Sequence, residues 1–294
     1  MDLPREQSLR WIVSSYAGLH ARHGEGIGTP DLVQPTGEYF PDDFTPTPEG
    51  IARLVARTLE YAPVKSGLDV ALRFVSDEGA EDGSCGTGKS CGSGACGPSE
   101  SASKANKVED RVLETATGYL LELPVASVGH PVALTTTIAR AVGGIVLAEA
   151  GEEATPAEQG GMSELAAVAC GFGVLMVSGA HVYGKSCGGA RVSRHTHLAL
   201  EEIAVALALF AAHHDIKASV VKEHLETTQR EAFAEACDWV ESNPTIVTQL
   251  RTRPEVLEAG MFRCEETKGF FGKLFARRAA KEEERAFGLA PVRR

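Results

Sequence analysis

From Pro131 to Val240 the chain is a succession of apolar, alanine-rich segments separated by polar and glycine-rich stretches. A chain written this way has little choice but to stack helices against one another. Apolar residues recur at helical spacing over 131–149, 162–180, 197–213 and 217–240, with a shorter helix near 245–251. The turns at 160–161 and 184–189 separate the middle segments. Upstream, Gln7–Leu19 reads as a first helix, followed by a loop stiffened by Pro35, Pro41, Pro46 and Pro48. Thr47-Pro48-Glu49 then starts a second helix: Thr47 can cap, Pro48 suits the first turn, and Ile51, Leu54, Val55, Thr58 and Leu59 share a face. Leu68–Val75 and Gly118–Leu123 alternate as strands do. Strands first and helices after imply an α+β fold, with a small sheet packed on a mainly helical bundle. The expected organisation is a single domain over 1–255, a Gly/Ser/Cys-rich loop insert at 76–108, and a C-terminal tail over 256–294.

Composition narrows the classes of function. A net charge of −11 over 294 residues opposes general affinity for nucleic acid, whose phosphates require Lys and Arg. The N-terminus carries an acid at Asp2 and no apolar leader, so a cytoplasmic location is expected. The longest apolar stretch, Leu165–Val177, is interrupted by Gly171 and Gly173, and no transmembrane segment is expected. Seven cysteines are odd in number and few for the length, which argues against a disulfide framework.

Two features of the insert invite chemistry. Gly83–Ser90 matches the phosphate-loop pattern G-x-x-x-x-G-K-S, but it neither follows a strand directly nor leads into a helix. Without that strand–loop–helix context the match has no amides to aim at a phosphate, so nucleotide binding is not expected. Cys85, Cys91 and Cys96 fall at C-x5-C-x4-C in a glycine-rich run. Three thiolates suit zinc or an iron–sulfur cluster, although no C-x2-C pair is present and a fourth ligand must come from elsewhere. The plainer alternative is a loop of reduced, solvent-facing thiols, in which case no cofactor is bound. The tail segment Lys268–Phe287 groups Phe270, Phe271, Leu274 and Phe275 near Lys273, Arg277 and Arg278. It suits an amphipathic helix that docks on a partner or a membrane surface, or that packs on its own domain.

The order of elements resembles a bacterial family whose own role is uncharacterised. The matching pieces are Pro35-Thr36-Gly37-Glu38-Tyr39-Phe40-Pro41-Asp42, the helix Pro131–Glu149, Ser163-Glu164-Leu165 leading to Gly171-Phe172-Gly173, and Ala204–Phe210. The family's layout looks like a zinc-peptidase core of the gluzincin-like type, in which one helix bears HExxH. Its two histidines ligate zinc one turn apart while the Glu activates water. Here the corresponding helix, PVALTTTIARAVGGIVLA, has neither His nor Glu, and Thr135–Thr137 and Arg140 stand where ligands would lie. Glu164, in the acidic position of the next helix, remains. The resemblance therefore implies a zincin-like core without an intact metal site, a degenerate site of Thr136, Thr137, Arg140 and Glu164, and no catalysis. A binding or structural role follows, with a metal or redox role for the cysteine loop as the alternative. Arg140 has two expected fates: a clamp on Glu164 in place of the metal, or a solvent-facing position on the helix's polar side. His213-His214 reads as a helix end that complements the dipole, and His195-x-His197 as a solvated turn.

Overall fold

A computed structural model describes residues 3–65, 67–75, 111–152, 154–186 and 189–267. Helix α1, Glu6–Ile27, runs two turns beyond the expected Leu19 and buries Leu9, Ile12, Val13, Tyr16 and Leu19 along one face. Helix α2, Pro48–Glu60, begins as its sequence dictates. The Oγ1 of Thr47 accepts a hydrogen bond from the amide of Gly50 at 3.2 Å, and Ile51, Val55 and Thr58 turn inward. Strands β1 (Asp69–Val75), β2 (Arg111–Glu114) and β3 (Gly118–Pro124) form a sheet in the order β1-β3-β2. β1 is parallel to β3, with Asp69 opposite Gly118 and Val75 opposite Pro124, and β2 is antiparallel to β3. The central strand carries the sheet's share of the core through Leu121 and Leu123.

The remainder is mainly helical: α3 (Val125–Val128), α4 (Pro131–Glu149), α5 (Gln159–Ala167), α6 (Gly173–Ala180), α7 (Leu200–His213), α8 (Ala218–Lys222), α9 (Thr227–Ser242), α10 (Pro244–Thr252) and α11 (Pro254–Glu258). Helices α4, α5, α6 and α7 pack on one another at the centre, with α1 on one side and α9 against α7. The chain is thus a mixed α and β protein with a small sheet, as its order of patterns implies.

Four expectations need correction. The segment 162–180 is not one helix, because a π-helical stretch, Val168–Phe172, separates α5 from α6 with Gly171 at φ 95°. The carbonyl of Gly171 accepts from the amide of Val33 at 3.0 Å, and a Cβ on Gly171 would lie 2.0 Å from the carbonyl oxygen of Asp31. The extended chain at 31–33 therefore presses on the bulge. The segment 217–240 divides into α8 and α9 at Glu226, whose amide donates to Gln229 Oε1 at 2.9 Å to open the new helix. A hairpin of β4 (Val182–Ser186) and β5 (Gly189–Ser193) occupies what reads as a glycine turn, since Gly and Ser lower strand propensity there. The expected domain end at 255 falls inside α11, where Leu257 is fully buried, and Arg10 donates to the carbonyls of Gly260 and Phe262. Packing on α1 therefore continues into the expected tail.

Two helical runs, Pro131–Glu149 and Gln159–Ala180, have the length and apolarity to cross a membrane. Most of their apolar stretch is buried inside the protein, which is how the central helices of a globular core behave. The cysteine loop, the phosphate-loop match and the segment Lys268–Phe287 lie outside the described residues.

The bulge gives a controlled test. Gly151 and Gly171 both have positive φ, but only Gly171 has backbone in the space a Cβ needs. Gly151→Ala should cost roughly 1–2 kcal/mol of unfolding free energy, the left-handed penalty alone. Gly171→Ala should cost about 3 kcal/mol or more, because strain and a clash add. Urea unfolding of both variants checks the difference, and equal effects would contradict it.

Candidate functional site

The site begins with the way α4 handles its polar residues. Thr135 and Thr136 are β-branched hydroxyl residues inside a helix, and each turns its hydroxyl back on the preceding turn. Thr135 Oγ1 reaches the Pro131 carbonyl at 2.9 Å, and Thr136 Oγ1 reaches the Val132 carbonyl at 2.8 Å. Thr136 Oγ1 also lies 3.0 Å from the carbonyl oxygen of Leu175 on α6. Gly179 makes that crossing possible, since a Cβ there would sit 2.2 Å from Thr136 Oγ1. Gly143 performs the same service toward α5: its Cβ would fall 2.1 Å from the carbonyl oxygen of Ser163. Gly143 thus lets the α5 backbone close on α4, and Gly179 lets α6 close on the Thr136 side chain. Thr137 is buried on the same helix.

That close approach sets Arg140 beside Glu164. Arg140 Nη1 lies 3.3 Å from Glu164 Oε1, and the two side chains are 2% and 0% exposed. Of the two fates open to Arg140, the chain adopts the clamp. The pair holds a third element as well. Glu164 Oε1 accepts from the amide of His197 at 2.6 Å, and Oε2 accepts from the amide of Leu198 at 2.8 Å. Arg140 Nη1 donates to the carbonyl of His195 at 2.6 Å. The segment 195–198, which leads from the hairpin into α7, is tied by main-chain groups to a buried carboxylate and a buried guanidinium.

Electrostatics at the pair are a contest. Burial pushes the Glu164 carboxyl from its usual 4.5 up to about 7, against Arg140 and the amides of Leu198 and His197, which favour the charged form. His195, half-buried beside the pair, is lowered first by burial and then by His130 and Arg140. Its Nε2 lies 3.2 Å from Ser193 Oγ. His130, the extended residue just before α4, therefore approaches the same end of the site.

These residues do not fit a catalytic zinc. A guanidinium has no lone pair for a metal, and both Glu164 oxygens already accept hydrogen bonds. The threonine hydroxyl one turn before Arg140 faces a main-chain carbonyl. What the arrangement can do is hold α4, α5 and the 195–198 segment in one register.

A cleft of about 420 Å³ opens at the α4 N-terminus, between the proline-rich loop and α2. Phe40, Phe44, Leu54 and Leu134 give it an apolar lining, and Asp42 and Arg57, 3.2 Å apart, stand at its edge. No periodicity announced it, because it is walled by an irregular loop. Of the described cysteines, Cys170 is buried among apolar helices and pushed up to about 12 by that burial, as befits an inert core thiol. Comparison with known protein families, with curated proteins and with solved structures finds no match to this chain.

The pair predicts an asymmetry. Glu164→Ala strands a buried guanidinium and two amides and should cost about 3–5 kcal/mol. Arg140→Met leaves a carboxyl that can take up a proton and keep its amides, so it should cost less. The double variant should fall well short of the summed losses in urea unfolding. A folded pKa raised above the unfolded one also means that the native state binds the extra proton between about pH 4.5 and 7. The Glu164 contribution to stability should therefore fall as pH rises through that window and level off above it. Glu164→Gln should remove that component of the pH profile.

Proposed function

We propose that this chain is a non-catalytic, peptidase-like protein with a binding role, in which an internal ion pair stands where a zinc site would lie. The observation that carries the reading is the engagement of Glu164 by Arg140 and by the amides of His197 and Leu198. A zinc hydrolase needs two imidazoles one turn apart and a carboxylate free to activate water. The corresponding turn here offers Thr136 and Arg140, and neither can take that part. The resemblance in element order to a zinc-peptidase core supplies the scaffold half of the reading, and a cytoplasmic setting is part of the same proposal.

The cleft beside the α4 N-terminus is the surface this reading assigns to binding. Its apolar lining and its Asp42–Arg57 edge suit a protein segment that presents an apolar side chain next to a charged one. A second reading, a metal or redox role for the insert, rests on the spacing of Cys85, Cys91 and Cys96 alone.

Incubation of the full chain with unfolded casein and zinc, with and without a chelator, checks the main reading. Cleavage should not rise above the buffer blank. Chelator-sensitive cleavage that Glu164→Gln abolishes would overturn it.

A further inference from the structure

The far end of α7 carries a second cluster that the clamp does not use. His213 is the last residue of that helix and His214 its cap. Beyond them Asp215 adopts φ 57°, and the amide of Ile216 returns to the carbonyl of Ala211 at 2.8 Å, which closes the helix in a Schellman-type turn. Arg251 fastens the turn through Asp215 Oδ1 at 2.7 Å and through the carbonyl of Ala212. The turn sets both imidazoles toward α1, where His20 meets them. The ring centroids of His20 and His213 are 4.5 Å apart, as are those of His213 and His214. One ring nitrogen from each of the three lies within 4.8 Å of the others.

An independent observation points the same way. His20 Nε2, His213 Nδ1 and His214 Nε2 are all buried without a hydrogen-bond partner, and His20 is only 9% exposed. Buried polar atoms are ordinarily satisfied, so three orphans on three adjoining rings call for a shared partner. We propose that His20, His213 and His214 form a binding site for a divalent transition-metal ion of the zinc class. Neutral imidazole nitrogen is a preferred ligand of zinc, and three protein nitrogens leave one position open for water or a ligand. Metal–nitrogen bonds of about 2.1 Å set tetrahedral nitrogens about 3.4 Å apart, so modest ring rotations complete the geometry. Burial holds His20 down to about 4 and His213 down to about 3, and lowers His214 too, so all three present lone pairs at neutral pH. Arg251, whose charge acts on His213 and His214, is paired with Asp215. Helix α7 has 14 residues and is about 20 Å long, so the cluster lies a helix-length from the Arg140–Glu164 pair and is independent of the reading given to it.

The test uses the full chain with Cys85, Cys91, Cys96, Cys187, Cys237 and Cys264 changed to Ser, which leaves only the buried Cys170, so that accessible thiolates cannot supply the signal. Cobalt(II) should bind at one equivalent and give visible ligand-field bands without sulfur charge-transfer absorption, and zinc should displace it and raise the melting temperature. The His213→Gln/His214→Gln variant should weaken zinc binding, measured by calorimetry, by roughly a hundredfold or more, because two of three ligands are gone. Should near-UV circular dichroism show that this variant misfolds, His214→Asn alone, at a partly exposed position, carries the same comparison. Absence of cobalt and zinc binding in the parent chain would overturn the proposal. So would equal binding by a folded histidine variant.

Discussion

A guanidinium and a carboxylate, both withdrawn from water, meet at the centre of this protein, and three parts of the chain are arranged around them. Arg140 comes from α4 and Glu164 from α5, while the main chain of 195–198 supplies two donors and an acceptor. Such a pair adds little net stability over an apolar alternative, because the desolvation of two charges offsets their attraction. Its effect is on which arrangement the chain accepts. An apolar helix such as α4 could slide or rotate against α5 at small cost, but each such movement would strand a buried charge. Gly143 belongs to the same constraint, since it lets the α5 backbone that carries Glu164 close on α4.

The elements legible from the sequence were those with local causes. Thr47, Pro48 and the apolar face after them specify α2 down to the capping bond. Helix α4 has the bounds its pattern gives, Pro131–Glu149. The π-helical stretch leaves no mark on the sequence because Leu165 to Val177 is buried on every side, so periodicity carries no signal there. The decisive contact, the carbonyl of Asp31 against Gly171, joins residues that no local pattern relates. The Arg140–Glu164 contact lay between these cases. A lone acid in a closed core needs a cation, and chemistry named the partner while leaving solvent open as its alternative. The histidine cluster is half visible: His213-His214 reads as a helix end, and His20 lies too far away in sequence to be joined to it by spacing.

Helix α7 links the two polar centres. Its N-terminal approach is fixed by Glu164 through 197 and 198, and its C-terminal turn carries His213 and His214. In between, Ile203 to Leu209 are buried without a gap, so the helix behaves as a rigid strut. Whatever seats the N-terminus of α7 therefore also sets where the two imidazoles stand relative to His20. The clamp and the cluster are chemically separate yet share one mechanical element.

The central claim is that a buried carboxylate, rather than the loop's own packing, holds the segment entering α7. Native-state hydrogen exchange at the amides of His197 and Leu198 tests it most directly. The His197 side chain is exposed, so a loop held only by local contacts would exchange its amide quickly. If Glu164 holds both amides, they should exchange at the rate of global unfolding in the parent protein and far faster in a folded Arg140→Met/Glu164→Ala variant. Fast exchange in the parent, or unchanged protection in that variant, would contradict the account.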